Sequence, residues 1–292
     1  MSRPTDLILT ALAPAIWGST YFVTTEFLPQ GFPITLSVLR ALPAGLLLLL
    51  LVRQLPPPAW IGRVLLLGAF NFAIFWVLLF ISAYRLPGGV AATLGATQPL
   101  IVLLLARLAL GHQIRPLSVL AALTGLGGVA LLVLGPNAAL DPLGVAAGLG
   151  GAVSMAAGTV FSRKWQPPVP PLTFTAWQLT AGGLLLVPVA LIAEPMMPLP
   201  DGRALGGLLY LGLIGAALTY LLWFRGIARI EPAAIAMLGM MSPVTAVLLG
   251  WLALGQNLSG LQMIGVAAVL GSVWLGQRAA RPAASPPRRM PA

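Results

Sequence analysis

Residues 89–111 read GVAATLGATQPLIVLLLARLALG, and residues 233–255 read AAIAMLGMMSPVTAVLLGWLALG. At an offset of 144, Ala92-Thr93-Leu94-Gly95 falls on Ala236-Met237-Leu238-Gly239, Pro99 on Pro243, and Ala109-Leu110-Gly111 on Ala253-Leu254-Gly255. The match runs without a gap over residues 87–132. Earlier in the chain Pro33-Ile34-Thr35 falls on Pro171-Leu172-Thr173, and Gly62-Arg63 on Gly202-Arg203. Apolar bias alone yields chance identities, whereas aligned Pro and Gly landmarks are harder to obtain that way. The chain is therefore read as two copies of one unit.

The size of that unit follows from hydropathy. Mostly apolar windows of about 20 residues, the length that crosses a bilayer as helix, fall near 6–26, 34–53, 63–85, 89–108 and 115–134. A second set falls near 142–162, 173–193, 204–225, 232–253 and 259–277. Punctuation between them is clear: Pro29-Gln30-Gly31-Phe32-Pro33, Pro56-Pro57-Pro58, Gly135-Pro136-Asn137, Pro167-Pro168 and the run from Pro195 to Pro200. The fold expected is an all-α integral membrane protein of ten transmembrane helices, built as two five-helix repeats. Because five is odd, the second copy enters the membrane upside down. Inverted repeats of this kind recur in secondary transporters, with the substrate site near the midplane between them. The expected units are residues 1–136 and 137–280, followed by a disordered cytoplasmic tail over 281–292, rich in Pro, Ala and Arg with nothing to bury. The first apolar segment is too long for a secretory signal and has a counterpart later in the chain, so it reads as a retained helix.

Composition agrees. Of 292 residues, 59% are hydrophobic and 8% charged, against about 25% charged in an average soluble domain. Mean hydropathy is +0.96. These values exclude a soluble enzyme or a nucleic-acid binder. The net charge of +10 forms no basic stripe interleaved with stacking aromatics; the basic residues lie singly or in pairs at the ends of apolar runs. With the N-terminus in the cytoplasm, the cytoplasmic segments hold thirteen of the 16 basic residues, and only Arg85 and Arg203 lie outside. That bias places both termini inside. Zero cysteines and one histidine leave no thiolate or multi-His metal site, and no cofactor is expected.

Candidate site residues are the polar and aromatic groups stranded at membrane depth. Arg40 is the one clear charge inside a span, at a cost of about 2.5–3.5 kcal/mol on insertion scales. It either snorkels or caps carbonyls of a neighbouring helix, or it anchors a substrate carboxylate through its guanidinium. Its counterpart by repeat is Gln178, so the two could mark opposite gates. Thr97-Gln98-Pro99 and Met241-Ser242-Pro243 break the fourth and ninth spans, because proline frees the carbonyl four residues before it, here Gly95 and Gly239. Such groups need protein or a water-lined cavity. The prolines either kink the helices for packing or place Thr93, Thr97, Gln98, Ser242 and those carbonyls in a pocket. Trp17 and Thr20 on the first span, Asn71 and Phe75 on the third, Ser154, Met155 and Gly158 on the sixth, and Thr219 and Tyr220 on the eighth lie mid-span. Trp60, Tyr84, Trp165, Trp223 and Trp274 lie near span ends and read as interfacial anchors. His112 sits at the cytoplasmic end of the fourth span, in a solvated or interfacial role. No nucleotide loop, nucleophile–base pair or intramembrane acid pair is present, which argues against an enzyme and against ATP-driven pumping by this chain.

Trp17-Gly18-Ser19, Pro33 followed by Arg40, and the run from Pro99 to Ala109-Leu110-Gly111 resemble the drug/metabolite transporter superfamily. Within it the likeness is to the ten-helix EamA type and, more narrowly, to aromatic amino-acid exporters of bacterial inner membranes. The resemblance covers nearly the whole chain to about Gln277. It implies a basket of helices 1–4 and 6–9 around a central cavity, with helices 5 and 10 to the side. It also implies export of amino acids or similar metabolites by alternating access. One departure stands out: the family often carries Glu after the Leu-Gly ending helices 4 and 9, where this chain has His112 and Gln256. Small multidrug-resistance relatives place a Glu inside their first helix, whereas this chain has only Asp6 and Glu26 at its edges.

The function expected is secondary export of aromatic or apolar amino acids across the bacterial inner membrane, by a multi-pass protein working as a monomer with no nucleic-acid partner. Trp17, Phe75, Met155 and Tyr220 would receive the side chain, while Asn71, Thr97, Gln98, Ser242 and the freed carbonyls would hold the ammonium and carboxylate. Export of drugs or other small metabolites is the alternative.

Overall fold

The computed structural model describes residues 3–86, 94–133, 141–254 and 259–280. The proposed tail, Thr93, Asn137 and Gln256 lie outside them. Local sequence sets most helix ends. Proline occupies the first helical position of α2 (Pro33–Val52), α3 (Pro58–Gly68), α7 (Pro142–Lys164), α8 (Pro171–Ala193) and α11 (Pro232–Gly239), where its missing N–H costs nothing. Asp141 accepts from Gly144 N at 2.7 Å and Asp201 from Ala204 N at 2.7 Å, capping α7 and α9 (Gly202–Leu209). Ser259 and Gln262 form a capping box at the start of α13 (Gly260–Ala279). α2 ends on Arg53 and α5 (Gln98–Leu110) on Gly111, both left-handed.

The remaining helices are α1 (Arg3–Phe27), α4 (Ile74–Arg85), α6 (Pro116–Val133), α10 (Thr219–Arg229) and α12 (Met241–Leu254). Among the described residues eight spans are long and apolar enough to cross a membrane, and two shorter apolar helices, Gln98–Leu110 and Pro116–Leu132, accompany them. The third span is α3 joined to α4 through a π segment, Ala69–Ala73. The eighth joins α9 to α10 through a longer one, Tyr210–Leu218. The third span begins at Pro58, some residues before the hydropathy window, and the eighth continues to Arg229. Arg63 and Arg229 extend the helices into the interface, where charge ends an apolar window without ending the helix.

Contacts join the spans into a ring in the order 1-8-2-7-3-6-4-9, closing back on 1. Spans 5 and 10 pack on each other and against 4 and 9, to one side, as the resemblance implied. Exchanging each span with its counterpart in the other half maps this ring onto itself. Caps and ion pairs between span ends fix the alternation of direction. Glu194, at the end of α8, accepts from Ile34 N and Thr35 N at 2.6 and 2.7 Å at the start of α2. Arg85, at the end of α4, faces Asp141 at the start of α7.

Small residues let backbones approach where lipid supplies no hydrophobic drive. A Cβ on Gly45 would stand 2.6 Å from Thr180 N, and one on Gly183 2.8 Å from Leu42 Cα, so spans 2 and 7 touch backbone to backbone. Gly128 and Gly265 do the same between spans 5 and 10. Gly45→Ala is expected to destabilise the protein in detergent by about 1–3 kcal/mol, the usual cost of overpacking. Gly62→Ala, with nothing within 4 Å, is expected to leave thermal unfolding unchanged; equal melting shifts for the two variants would contradict this packing.

Candidate functional site

The groups stranded at membrane depth converge where spans 1, 2, 3 and 8 meet. The Arg40 guanidinium donates through Nη2 to Gly215 O at 2.7 Å, inside the π segment of span 8. Its Cζ lies 5.2 Å from the Trp76 ring centroid, within cation–π range. Thr219 Oγ1 donates to the same Gly215 O at 2.9 Å and accepts from Trp17 Nε1 at 2.9 Å. Trp17 then meets Tyr220 at 5.0 Å and Trp223 at 5.1 Å in tilted ring contacts, and Tyr220 meets Phe72 at 4.6 Å. A single released carbonyl thus gathers a cation, a hydroxyl and an indole, and the aromatic cluster continues from them.

Span 3 presents the counterpart. Asn71, fully buried in the short π segment, donates through Nδ2 to Gln178 Oε1 at 2.9 Å and Ser162 Oγ at 3.2 Å. Ser154 Oγ donates to Phe70 O at 2.8 Å. The offset of 138 set by Pro33 and Pro171 puts Arg40 on Gln178, while along span 3 the offset passes from 140 at Gly62 to 144 at Arg85, because the π segment of span 8 has 9 residues against 5. Arg40 and Gln178 thus each reach a π segment of the other half, Arg40 by donating to the Gly215 carbonyl and Gln178 by accepting from the Asn71 side chain. In both, a polar side chain of a second-repeat-position helix serves a π segment. A π turn displaces its carbonyls from the regular ladder, and in lipid they must find another donor.

The breaks lie at equivalent places as well. Thr97 N and Met240 N each bond three residues back, to Leu94 O and Met237 O, both at 3.1 Å. The fourth span turns at Ala96-Thr97 and resumes at Gln98; the ninth turns at Met240 and resumes at Met241. Thr97 Oγ1 donates to Leu94 O at 2.6 Å. Gln98 and Ser242 are half-buried at the starts of the resumed helices, Pro99 is buried and Pro243 half-buried. A Cβ on Gly95 or Gly239 would meet nothing within 4 Å, so both broken turns border open space.

Trp17, Arg40, Phe75, Met155 and Tyr220 fall in or beside one cluster. Thr97, Gln98 and Ser242 lie at the two breaks, while Thr20 Oγ1 is buried with no protein partner among the described residues. Asn71 and Ser154 spend hydrogen bonds on neighbouring helices. Trp223 corrects one expectation: it is 1% exposed inside the aromatic cluster, not an interfacial anchor. Its position near the end of a hydropathy window misled, because the helix runs on to Arg229. Phe72 and Trp76 were missed. On a helix apolar all round, no amphipathic period marks which aromatic faces inward.

The chain belongs to the EamA-like transporter family, whose model matches residues 5–134 and again 142–276. It is a multi-pass membrane transporter of that family. Protein PecM of Dickeya dadantii (strain 3937) is 45% identical over 267 residues, covering 91% of this chain and 90% of PecM. The inner membrane transporter YedA of Escherichia coli (strain K12) is 31% identical over 265 residues, covering 89% of this chain and 86% of YedA. A solved crystal structure is similar with a TM-score of 0.81 at 23% identity, covering 96% of this chain and 100% of that one; the likeness shows the fold.

Asn71→Leu is expected to lower stability by about 1–2 kcal/mol, the range for a lost interhelical hydrogen bond in a membrane protein with a stranded partner. Asn71→Leu combined with Gln178→Leu is expected to cost less than the sum of the single changes. Additive losses in chemical unfolding would show that the two side chains act independently.

Proposed function

We propose that this transporter exports amino acids with aromatic or apolar side chains by alternating access, one chain sufficing, with both termini in the cytoplasm. The observation that carries the reading is the placement of the Arg40 guanidinium beside Trp17, Trp76 and Tyr220 at membrane depth. A guanidinium suits a carboxylate bidentately, and the aromatic faces suit an apolar side chain. The carbonyls of Gly95 and Gly239, with Thr97, Gln98 and Ser242, supply acceptors and donors for the ammonium. Thr20 adds a hydroxyl near the cluster. Phe75 and Met155 line it, and Asn71 and Ser154 act by holding the π segment of span 3 in place. The positive bias of the N-terminal face supports the orientation. The YedA relative, named an inner membrane transporter, supports transport without naming a substrate.

The test is uptake of radiolabelled amino acids into proteoliposomes, with and without an imposed pH gradient. Saturable flux of aromatic or apolar amino acids is expected. Flux of lipophilic drugs alone, in folded protein, would overturn the reading in favour of a multidrug or metabolite exporter. Arg40→Gln is expected to raise KM about tenfold or more, from loss of a charge-assisted hydrogen bond. Arg40→Lys, keeping the charge without the planar fork, is expected to fall between. Gln98→Leu is expected to reduce export from cells at unchanged expression; normal export would remove it from the pocket.

A further inference from the structure

At the ends of spans 3 and 8 the repeat pairs Arg85 with Arg229, and each meets an acid of the first-position helix beside it, on opposite faces, although Asp6 itself falls on Gly144 at the offset of 138. On the face that carries the N-terminus, Asp6 Oδ1 of span 1 accepts from Arg225 Nη2 at 2.6 Å and Arg229 Nη1 at 3.2 Å, both on span 8. On the other face, Asp141 at the start of span 6 meets Arg85 at the end of span 3, at 3.7 Å. The offset of 144 puts Arg85 on Arg229 and Phe80 on Phe224, so span 3 against 6 repeats span 8 against 1. The packing beneath is repeated too, with knob and hole exchanged. Thr10 of span 1 fills the site of a Cβ on Gly226, and Ser82 of span 3 stands 2.8 Å from one on Gly148. At offsets of 138 and 144, Thr10 corresponds to Gly148 and Ser82 to Gly226.

The two ends differ in tightness. Asp6 and Arg225 have side chains 13% and 14% exposed, against 37% and 48% for Asp141 and Arg85. At the Asp6 face the ring is also tied across, since Arg163 of span 6 donates to the Ile227 and Ala228 carbonyls of span 8. In two inverted copies of one unit, the conformations of the two faces exchange when the transporter turns over.

We propose that Asp6 with Arg225 and Arg229, and Asp141 with Arg85, are the two latches of that exchange, and that the structure stands with the Asp6 latch shut. The proposal rests on the alternating-access reading but not on any substrate. Each latch joins a first-position helix to a third-position helix of the other repeat, and closing one draws its face together while the other loosens. The tight ion pair biases the equilibrium towards the state closed at the Asp6 face.

The chain has no cysteine, so single cysteines report without background. Thr10→Cys and Ser82→Cys sit beneath the two latches, at 0% and 1% exposure, and reaction of each with a soluble maleimide is followed in reconstituted full-length protein. Asp6→Asn is expected to raise labelling at Thr10→Cys about tenfold, as a population shift of that size requires, and not to raise it at Ser82→Cys, which is already buried in the state shown. Asp141→Asn, which keeps the cap on Gly144, is expected to lower labelling at Thr10→Cys. Asp6→Glu, which keeps the charge, should label as the parent does, and Arg229→Gln, leaving Arg225 in place, should shift labelling the same way as Asp6→Asn by less. If Asp6→Asn does not fold, Arg229→Gln carries the test. Equal changes at both reporters, or none, would overturn the latches. A rise confined to Thr10→Cys without amino-acid flux would retain them and reject the substrate, whereas amino-acid flux without that one-sided rise would do the reverse.

Discussion

A carbonyl that leaves the helical ladder inside hydrocarbon has no water to accept from, and a protein group must serve it. That constraint governs this structure at its most irregular points. Gly215 O, released in the long π segment, is met by Arg40 and Thr219. Phe70 O, in the short one, is met by Ser154. Arg40 comes from span 2 and Ser154 from span 6, while Thr219 lies on span 8 itself and ties in span 1 by accepting from Trp17. The polar side chains that are costly in lipid lie where the backbone is irregular, and the two costs offset one another. Arg40 thereby has a structural tie and a place beside the aromatic cluster at once.

The same economy holds for the acids. Asp6 and Glu231 lie near arginines at the N-terminal face, Glu26 and Asp141 near arginines at the other, and Glu194 and Asp201 accept backbone donors at helix starts. Each stands at a span end, where burial costs least. Fixed charge at membrane depth is left to arginine, which keeps its proton and offers five donors. Charge at the rims joins spans from different repeats.

Much of the fold was legible in order along the chain. Apolar windows, proline-rich joins and the Pro99/Pro243 register located the spans, since hydropathy and the loss of a backbone donor act locally. The windows misjudged the ends of spans 3 and 8 because arginines can extend a helix into the interface. The site was legible as a list of residue types and not as a grouping. Trp17, Arg40 and Tyr220 stood out as polar or aromatic groups at depth. Nothing local said that they meet around Gly215, or that Phe72 and Trp76 belong with them while Asn71 and Ser154 serve helix contacts.

The sequence by itself determined the helical class, the number of spans, the doubling and the two broken helices. Each of these follows from short-range chemistry: transfer of apolar side chains, proline's missing N–H, and spacing along one chain. Only the tertiary structure decided the ring order, the π segments and the identity of their donors. It also decided that the Asp6 pair is tight while its counterpart at Asp141 is loose. Those depend on which faces of uniformly apolar helices meet. In lipid, that choice is set by close packing at glycines and by a few hydrogen bonds between residues more than 80 positions apart, as Asn71 and Ser162 are.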